Sequence, residues 1–268
     1  MRLIRFLTNR SFAPLTGILH ADGSAEPIEG DLFGEWRPTG RRAHVTKLLA
    51  PLQPSVILAI GLNFREHAIE TRQPVPEYPV LFMKSPWVTQ NPGDPIVIPT
   101  RLASTKVDYE AELVVVIGKA CKNATRENAM DYVFGYTCGN DVTARDWQKS
   151  FGGNQWCRSK SFDTFAPLGP CIVTKDEIPD PQNLALKAIV NGDVRQCSNT
   201  ADHIFSVVDL IVFLSGSTTL PAGTAIFTGT PPGAGFARNP PVYLAPGDTV
   251  TVSIGGIGEL TNPVSLEP

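Results

Sequence analysis

The chain has 268 residues and a formal net charge of −3, long enough to bury a large core as one big domain or one big and one small. That charge, without any run of Lys or Arg, excludes a basic field for nucleic acid, and no apolar stretch approaches a membrane span. Charged residues make up only 18% while Gly and Pro number 23 and 24, a mixture that suits many short strands joined by turns rather than a helical bundle.

Residues 1–52 read as a small β-rich lead-in: a strand over Met1–Thr8, a second at Gly17–Leu19, a turn at Asp22-Gly23, and a short helix over Val45–Leu49 ahead of Pro51. Residues 53–268 read as the main domain. It opens on Val56–Ile60 as a buried strand, then Gly61-Leu62-Asn63 and a helical stretch from Phe64 to Thr71. Pro74, Pro76 and Pro79 stiffen a loop, and Leu81–Lys84 and Ile96–Ile98 are short strands. Asp108-Tyr109-Glu110-Ala111-Glu112 runs into Leu113–Ile117, a β-branched run that reads as a buried strand. Arg126–Phe134 predicts a helix with Thr125 as its N-cap, Ala144–Lys149 a helical turn, and Ser150–Asn154 a mobile Gly-rich loop. Strands follow at Cys171–Thr174, Leu186–Val190, Ala225–Thr228 and Thr249–Ile254, with Ile204–Ser215 as one buried apolar helix. The five cysteines form no CxxC pair, which points to a reducing compartment and buried structural thiols. With no apolar core of a signal peptide at the N-terminus, the expectation is cytoplasmic, an organelle matrix being left open.

Side chains alternate along a strand, so Glu110 and Glu112 point the same way, and Asp141 can add a third carboxylate. Three anions beside a core, with no obvious basic partner, suggest a hard divalent cation held by oxygen: Mg²⁺, Mn²⁺ or Ca²⁺. A solvated polar strand face uses the same spacing. His67 and Glu70 share a helix face, the usual construction of a carboxylate-oriented general base, though a solvated histidine reads the same way. If a helical turn begins at Asp141, then Asp141, Arg145 and Gln148 face one direction, either as a cation ligand beside two donors for an anionic substrate or as an Asp N-cap with an exposed Arg. Lys84 and Lys160 lie in apolar surroundings, where each can anchor a carboxylate, stabilise an oxyanion or snorkel outward. In Thr228–Gly235 glycines let backbone N–H groups approach an anion, or simply make a turn.

Six segments together resemble the fumarylacetoacetate hydrolase family: Gly61-Leu62-Asn63-Phe64 through His67 and Glu70; Phe82-Met83-Lys84; Val107–Leu113; Gly139–Asp146; Lys160–Pro170; and Thr228-Gly229-Thr230-Pro231. They occur in the family's order over roughly residues 55–268. The run Lys160–Phe165 is most similar to the subgroup of fumarylacetoacetate hydrolase domain-containing protein 2. The resemblance implies a mainly β (α+β) fold, a mixed β-sandwich roll behind the small N-terminal region, and a homodimer. It implies metal ligands at Glu110, Glu112 and Asp141, a catalytic dyad at His67 and Glu70, a substrate-side lysine at Lys160, and substrate contacts at Lys84, Arg145, Gln148 and Thr230. Phe64 departs from the family, where many members carry Tyr.

The function so implied is Mg²⁺- or Mn²⁺-dependent hydrolysis of a C–C bond in a small acylpyruvate-like keto acid. Glu70 orients His67, His67 deprotonates water, and Lys160 offsets the oxyanion. Oxaloacetate decarboxylation or tautomerisation, or isomerisation of a hydroxydienoate, uses the same metal site. A non-catalytic metal-binding paralogue is the reading from another class.

Overall fold

The computed structural model describes residues 1–268 except Arg10 and Gly152, and only the backbone of Ser11 and Phe12. The N-terminal strands are β1 (Arg2–Thr8), β2 (Ser11–Leu19), β3 (Ala25–Gly30), β4 (Trp36–Pro38) and β5 (Lys47–Leu49). Then come β6 (Val56–Gly61), helix α1 (Arg65–Thr71), β7 (Val80–Lys84), β8 (Thr89–Gln90), β9 (Ile96–Ile98), β10 (Val107–Asp108), β11 (Ala111–Ile117), β12 (Val133–Asn140) and β13 (Thr143–Ala144). Helices α2 (Arg145–Lys149) and α3 (Trp156–Ser159) lead to β14 (Ala166–Thr174), β15 (Ala185–Val190), β16 (Asp193–Asn199), helix α4 (Val207–Ser215), β17 (Thr224–Phe227), β18 (Thr249–Ile254) and β19 (Gly258–Leu266).

The fold is a mixed β-sandwich. One large sheet runs β4-β3-β2-β1-β14-β12-β11-β17-β6-β7, with β5 beside β1 and β8 beside β14. A second sheet, β16-β15-β18-β19-β9, packs against it, and β10 pairs with β13. β11 lies between β12 and β17 and is buried throughout, which is why its sequence is a near-continuous apolar run. Leu113, Val115 and Ile117 join the core shared with the second sheet and α4, while Val114 and Val116 face a second cluster with Ile57, Phe82, Leu168 and Phe227. The N-terminal strands continue the large sheet, because β1 pairs with β14 through Arg2 and Leu3.

Three local expectations fail for physical reasons. The predicted helix at Val45–Leu49 is strand β5, because Arg5–Leu7 of β1, past the end of its pairing with β14, takes Lys47–Leu49 as partner. The predicted helix at Arg126–Phe134 reduces to a 3₁₀ turn at Ala129–Tyr132. The turn's N-cap is Asn128, whose side chain accepts from the Thr125 N–H, and Val133 already pairs with Ile117. Helix α4 begins at Val207 rather than Ile204 because Ser206 and Asp209 form a capping box. Of the expected mobile loop, residues 150, 151, 153 and 154 lie outside helix and strand, and Gly152 lies outside the described residues. Cys121, Cys138 and Cys171 are buried as expected of structural thiols, but Cys157 and Cys197 are exposed. Among the described residues no helix is long and apolar enough to cross a membrane.

Candidate functional site

The acidic triad forms where β11 and β12 meet. Ala111 pairs with Asn140 and Glu112 with Gly139; the Asn140 side chain accepts from the Glu110 N–H, and the Asp141 N–H donates to the Glu110 carbonyl. Ligand oxygens of Glu110, Glu112 and Asp141 thereby come within 4.8 Å of one another, all three residues buried. This is an oxygen-only cluster of the kind that holds a hard cation.

The triad is not without basic partners, which corrects the sequence reading. Lys84 Nζ is bonded to Asp141 Oδ1 and donates to the Val142 carbonyl. Lys160 Nζ donates to Glu110 Oε2 at 2.8 Å, Asp141 Oδ2 at 2.5 Å and Thr143 Oγ1 at 2.8 Å, which commits all three ammonium protons. Arg145 donates from Nη2 to Glu110 Oε1 at 2.5 Å, from Nε to Asp108 Oδ2 at 2.9 Å and from Nη1 to Gln148 Oε1 at 3.1 Å. These cations come from β7, α2 and the end of α3. Their spacing along the chain hides what the sheet brings together.

Glu112 stands apart. Among the described residues it has no ion pair, and Gly229 N–H donates to its Oε2 at 2.7 Å. Burial, with Asp141 and Glu110 adding to it, pushes its carboxyl well above the usual range. Burial also pushes Glu110 up, but Arg145 and Lys160 outweigh it and hold that carboxyl well below its usual range. Burial, partly offset by Asp141, lowers Lys84 to about 8. Around the triad, among the described residues, the buried carboxylates Asp108, Glu110, Glu112 and Asp141 thus face the cations Lys84, Arg145 and Lys160, and of these four Glu112 alone has no ion pair. The residues present fit a divalent metal ion.

The dyad sits on α1. His67 Nδ1 and Glu70 Oε2 are 2.9 Å apart, and Glu70 Oε1 accepts from the Gly233 N–H at 3.0 Å, leaving Nε2 as the other ring nitrogen of a cavity-lining histidine. Buried Asn63 fixes the start of this helix: its amide donates to the Phe205 and Thr228 carbonyls and accepts from the Phe205 N–H. Gly229, at φ +103°, lies so close that a Cβ there would be 2.6 Å from that of Asn63. The Gly-rich segment does cradle anions, but they are the protein's own. Gly229 N–H serves Glu112, Gly233 N–H serves Glu70, and Gly235 and Phe236 N–H serve Asp108.

Triad and dyad open on one cavity of about 570 Å³. Arg145, Gln148 and Thr230 line it as expected; Thr230 Oγ1 donates to the Ala111 carbonyl and accepts from Gln196. Lys160 lines its floor, whereas Lys84 lies behind Asp141 and off the wall. Phe64 also stays off the wall, buried edge-on against His203 at 4.6 Å. Sequence reasoning missed Asp108, although it shares the strand parity of Glu110 and Glu112. It also missed Asn63, Gln196 and Phe236, for which no spacing pattern speaks.

The family profile described as fumarylacetoacetate (FAA) hydrolase C-terminal matches residues 56–265, and one described as Rv2993c-like, N-terminal matches residues 1–51. An oxaloacetate tautomerase of Xenopus laevis, fahd2, mitochondrial, is 49% identical, covering 98% of this chain and 90% of its own. Among solved structures, 5-carboxymethyl-2-hydroxymuconate delta-isomerase from Mycobacterium smegmatis is 37% identical with a TM-score of 0.87, covering 100% of both chains. The 2-hydroxyhepta-2,4-diene-1,7-dioate isomerase from Mycobacterium marinum is 37% identical with a TM-score of 0.84, covering 100% of this chain and 99% of its own. The Xenopus protein's name places that relative in mitochondria, so the cytoplasmic expectation draws no support from it.

Proposed function

The chain belongs to the fumarylacetoacetate hydrolase family, and on that premise we propose that it interconverts the keto and enol forms of a small α-keto acid of the oxaloacetate type, with Mg²⁺ or Mn²⁺ held by Glu110, Glu112 and Asp141. The observation that carries this reading is the shared cavity, where a histidine–carboxylate dyad and a buried three-carboxylate cluster face the same space. Near full-length similarity to an oxaloacetate tautomerase favours tautomerisation over hydrolysis as the leading activity.

Glu110, Glu112 and Asp141 would hold the divalent cation, which would supply Lewis-acid stabilisation of negative charge developing on the substrate's oxygens. His67, oriented through Nδ1 by Glu70, takes the C3 proton at Nε2 and delivers it to the keto oxygen for the enol; in the reverse direction it takes the enol hydroxyl proton and delivers it to C3 for the ketone. Gln148 accepts from Arg145 through Oε1, so its amide N–H groups remain for the substrate carboxylate. Lys160, with three partners already, acts by holding Glu110 and Asp141 in place.

Hydrolytic C–C cleavage of an acylpyruvate is the second reading, favoured by the same dyad, since Nε2 of His67 suits deprotonation of water equally. The test is a paired assay of the Mg²⁺-loaded protein, following enol-oxaloacetate ketonisation by its ultraviolet absorbance and pyruvate release from acetylpyruvate. The proposal expects accelerated ketonisation that a chelator abolishes. Pyruvate release without ketonisation replaces it with the hydrolase reading, and neither activity leaves a metal-binding protein.

A further inference from the structure

The cavity above the carboxylates, about 570 Å³, far exceeds what a four-carbon keto acid occupies. Its two sides differ in chemistry. On one, basic groups surround Phe236: Arg145 Cζ lies 4.1 Å, Lys149 Nζ 4.9 Å and the His67 ring 6.0 Å from its centroid. Elsewhere Phe82, Trp156 and Val80 gather beside Gly61 as a hydrocarbon patch, while Leu62, Pro74 and Pro76, together with the polar Gln73 and Asn154, also line the cavity.

The hydrocarbon side begins at the floor. The Phe82 ring lies 4.8 Å from Lys160 Nζ, and Phe82 then meets Trp156 edge-to-face at 5.7 Å. Trp156 rests against β6 at Gly61, where a Cβ would come within 2.5 Å of the indole Cζ3, so the absence of a side chain at 61 makes room for the indole. Val80 pairs with Gly61 across β6 and β7 and extends the same surface. The basic residues lining the cavity are His67, Arg145, Lys149 and Lys160, gathered around Phe236 or on the floor. Among the described residues lining the cavity, the cation beside this wall is Lys160 at the floor, whose three ammonium protons are already committed to Glu110, Asp141 and Thr143; a hydrocarbon group along Trp156 meets two aromatic rings.

We propose that this wall is a subsite for an apolar chain or ring carried by the substrate beyond its metal-chelating keto-acid head. The proposal rests on the keto-acid reading above and narrows its substrate class. Such a substituent removes aromatic and aliphatic surface from water on both partners, whereas a charged one would lose hydration without a partner.

The test is calorimetric binding to Mg²⁺-saturated protein of three inert compounds with one shared head: oxamate, N-phenyloxamate and N-oxalylglycine. N-phenyloxamate is expected to bind roughly 10–100-fold tighter than oxamate, the worth of burying one ring, with N-oxalylglycine gaining less. Trp156→Ala should collapse the ratio between N-phenyloxamate and oxamate. Equal affinity of those two, or a greater gain for N-oxalylglycine, overturns the apolar subsite while the keto-acid reading stands. Failure of oxamate to bind metal-saturated protein overturns that reading itself, because oxamate reports on the head alone. Should Trp156→Ala not fold, the wild-type series decides the matter.

Discussion

Replacing Lys160 with Met keeps most of the stem and removes an ammonium that touches Glu110, Asp141 and Thr143. Four buried carboxylates then face only Lys84 and Arg145. Removing one partner of a buried pair costs about 3–5 kcal/mol, since the remaining charge is left uncompensated. Here Glu110 keeps Arg145 and Asp141 keeps Lys84, so the metal-free variant should lose about 3 kcal/mol, the lower end of that range. A divalent cation should reverse much of the loss. It no longer shares Glu110 and Asp141 with an ammonium, and a tenfold gain in affinity corresponds to about 1.4 kcal/mol. Urea unfolding of both proteins in chelator and in saturating Mg²⁺, with calorimetric Mg²⁺ titrations, reads both effects. Equal stability in chelator, or equal stabilisation by Mg²⁺, would refute the reasoning that Lys160 neutralises the metal ligands.

Glu112→Gln or Asp141→Ala should weaken Mg²⁺ binding by roughly 100-fold or more, through loss of ligand and charge together; unchanged affinity in both removes the triad as the metal site. His203 adds an acid-sensitive term to stability. Burial first, then Arg65, lowers it from 6.5 to about 3. Below pH 6.5 the unfolded chain takes up a proton that the folded chain refuses until about pH 3, so stability falls as pH drops through that window. The loss at pH 5 is about 2 kcal/mol, and His203→Leu should flatten the slope in pH-dependent urea unfolding; an identical slope contradicts the assignment. We also expect a homodimer. Leu81 and Met83 are each 46% exposed on edge strand β7, and Trp87 beyond it is 86% exposed. Sedimentation should show a dimer at micromolar concentration that the Leu81→Lys, Met83→Lys double variant dissociates; a wild-type monomer rules it out.

What was legible in the sequence depended on how local the signal is. β11 could be read because both of its faces are buried, so Leu113–Ile117 shows no polar alternation. The dyad could be read because His67 and Glu70 are three apart on one helix, and their hydrogen bond needs nothing else. β5 could not, because its strand state comes from pairing with β1 some forty residues earlier. The charge balance of the triad was equally hidden. Lys84 is 57 residues from Asp141, Lys160 is 50 from Glu110, and Arg145 is 35 from Glu110. In Thr228–Gly235 the glycines announced backbone donors for an anion, but only the folded chain identifies the anions as Glu112, Glu70 and Asp108.

The central claim, metal-supported enolisation at a site served by His67, is tested most directly by deuterium wash-in at C3 of oxaloacetate, followed by proton magnetic resonance in D₂O. The Mg²⁺-loaded protein should accelerate exchange far above the spontaneous rate, and a chelator should abolish the acceleration. His67→Ala should slow it by roughly 10²–10⁴-fold with Mg²⁺ affinity nearly intact. Exchange no faster than in protein-free buffer, or a His67→Ala variant as fast as wild type, would contradict the account.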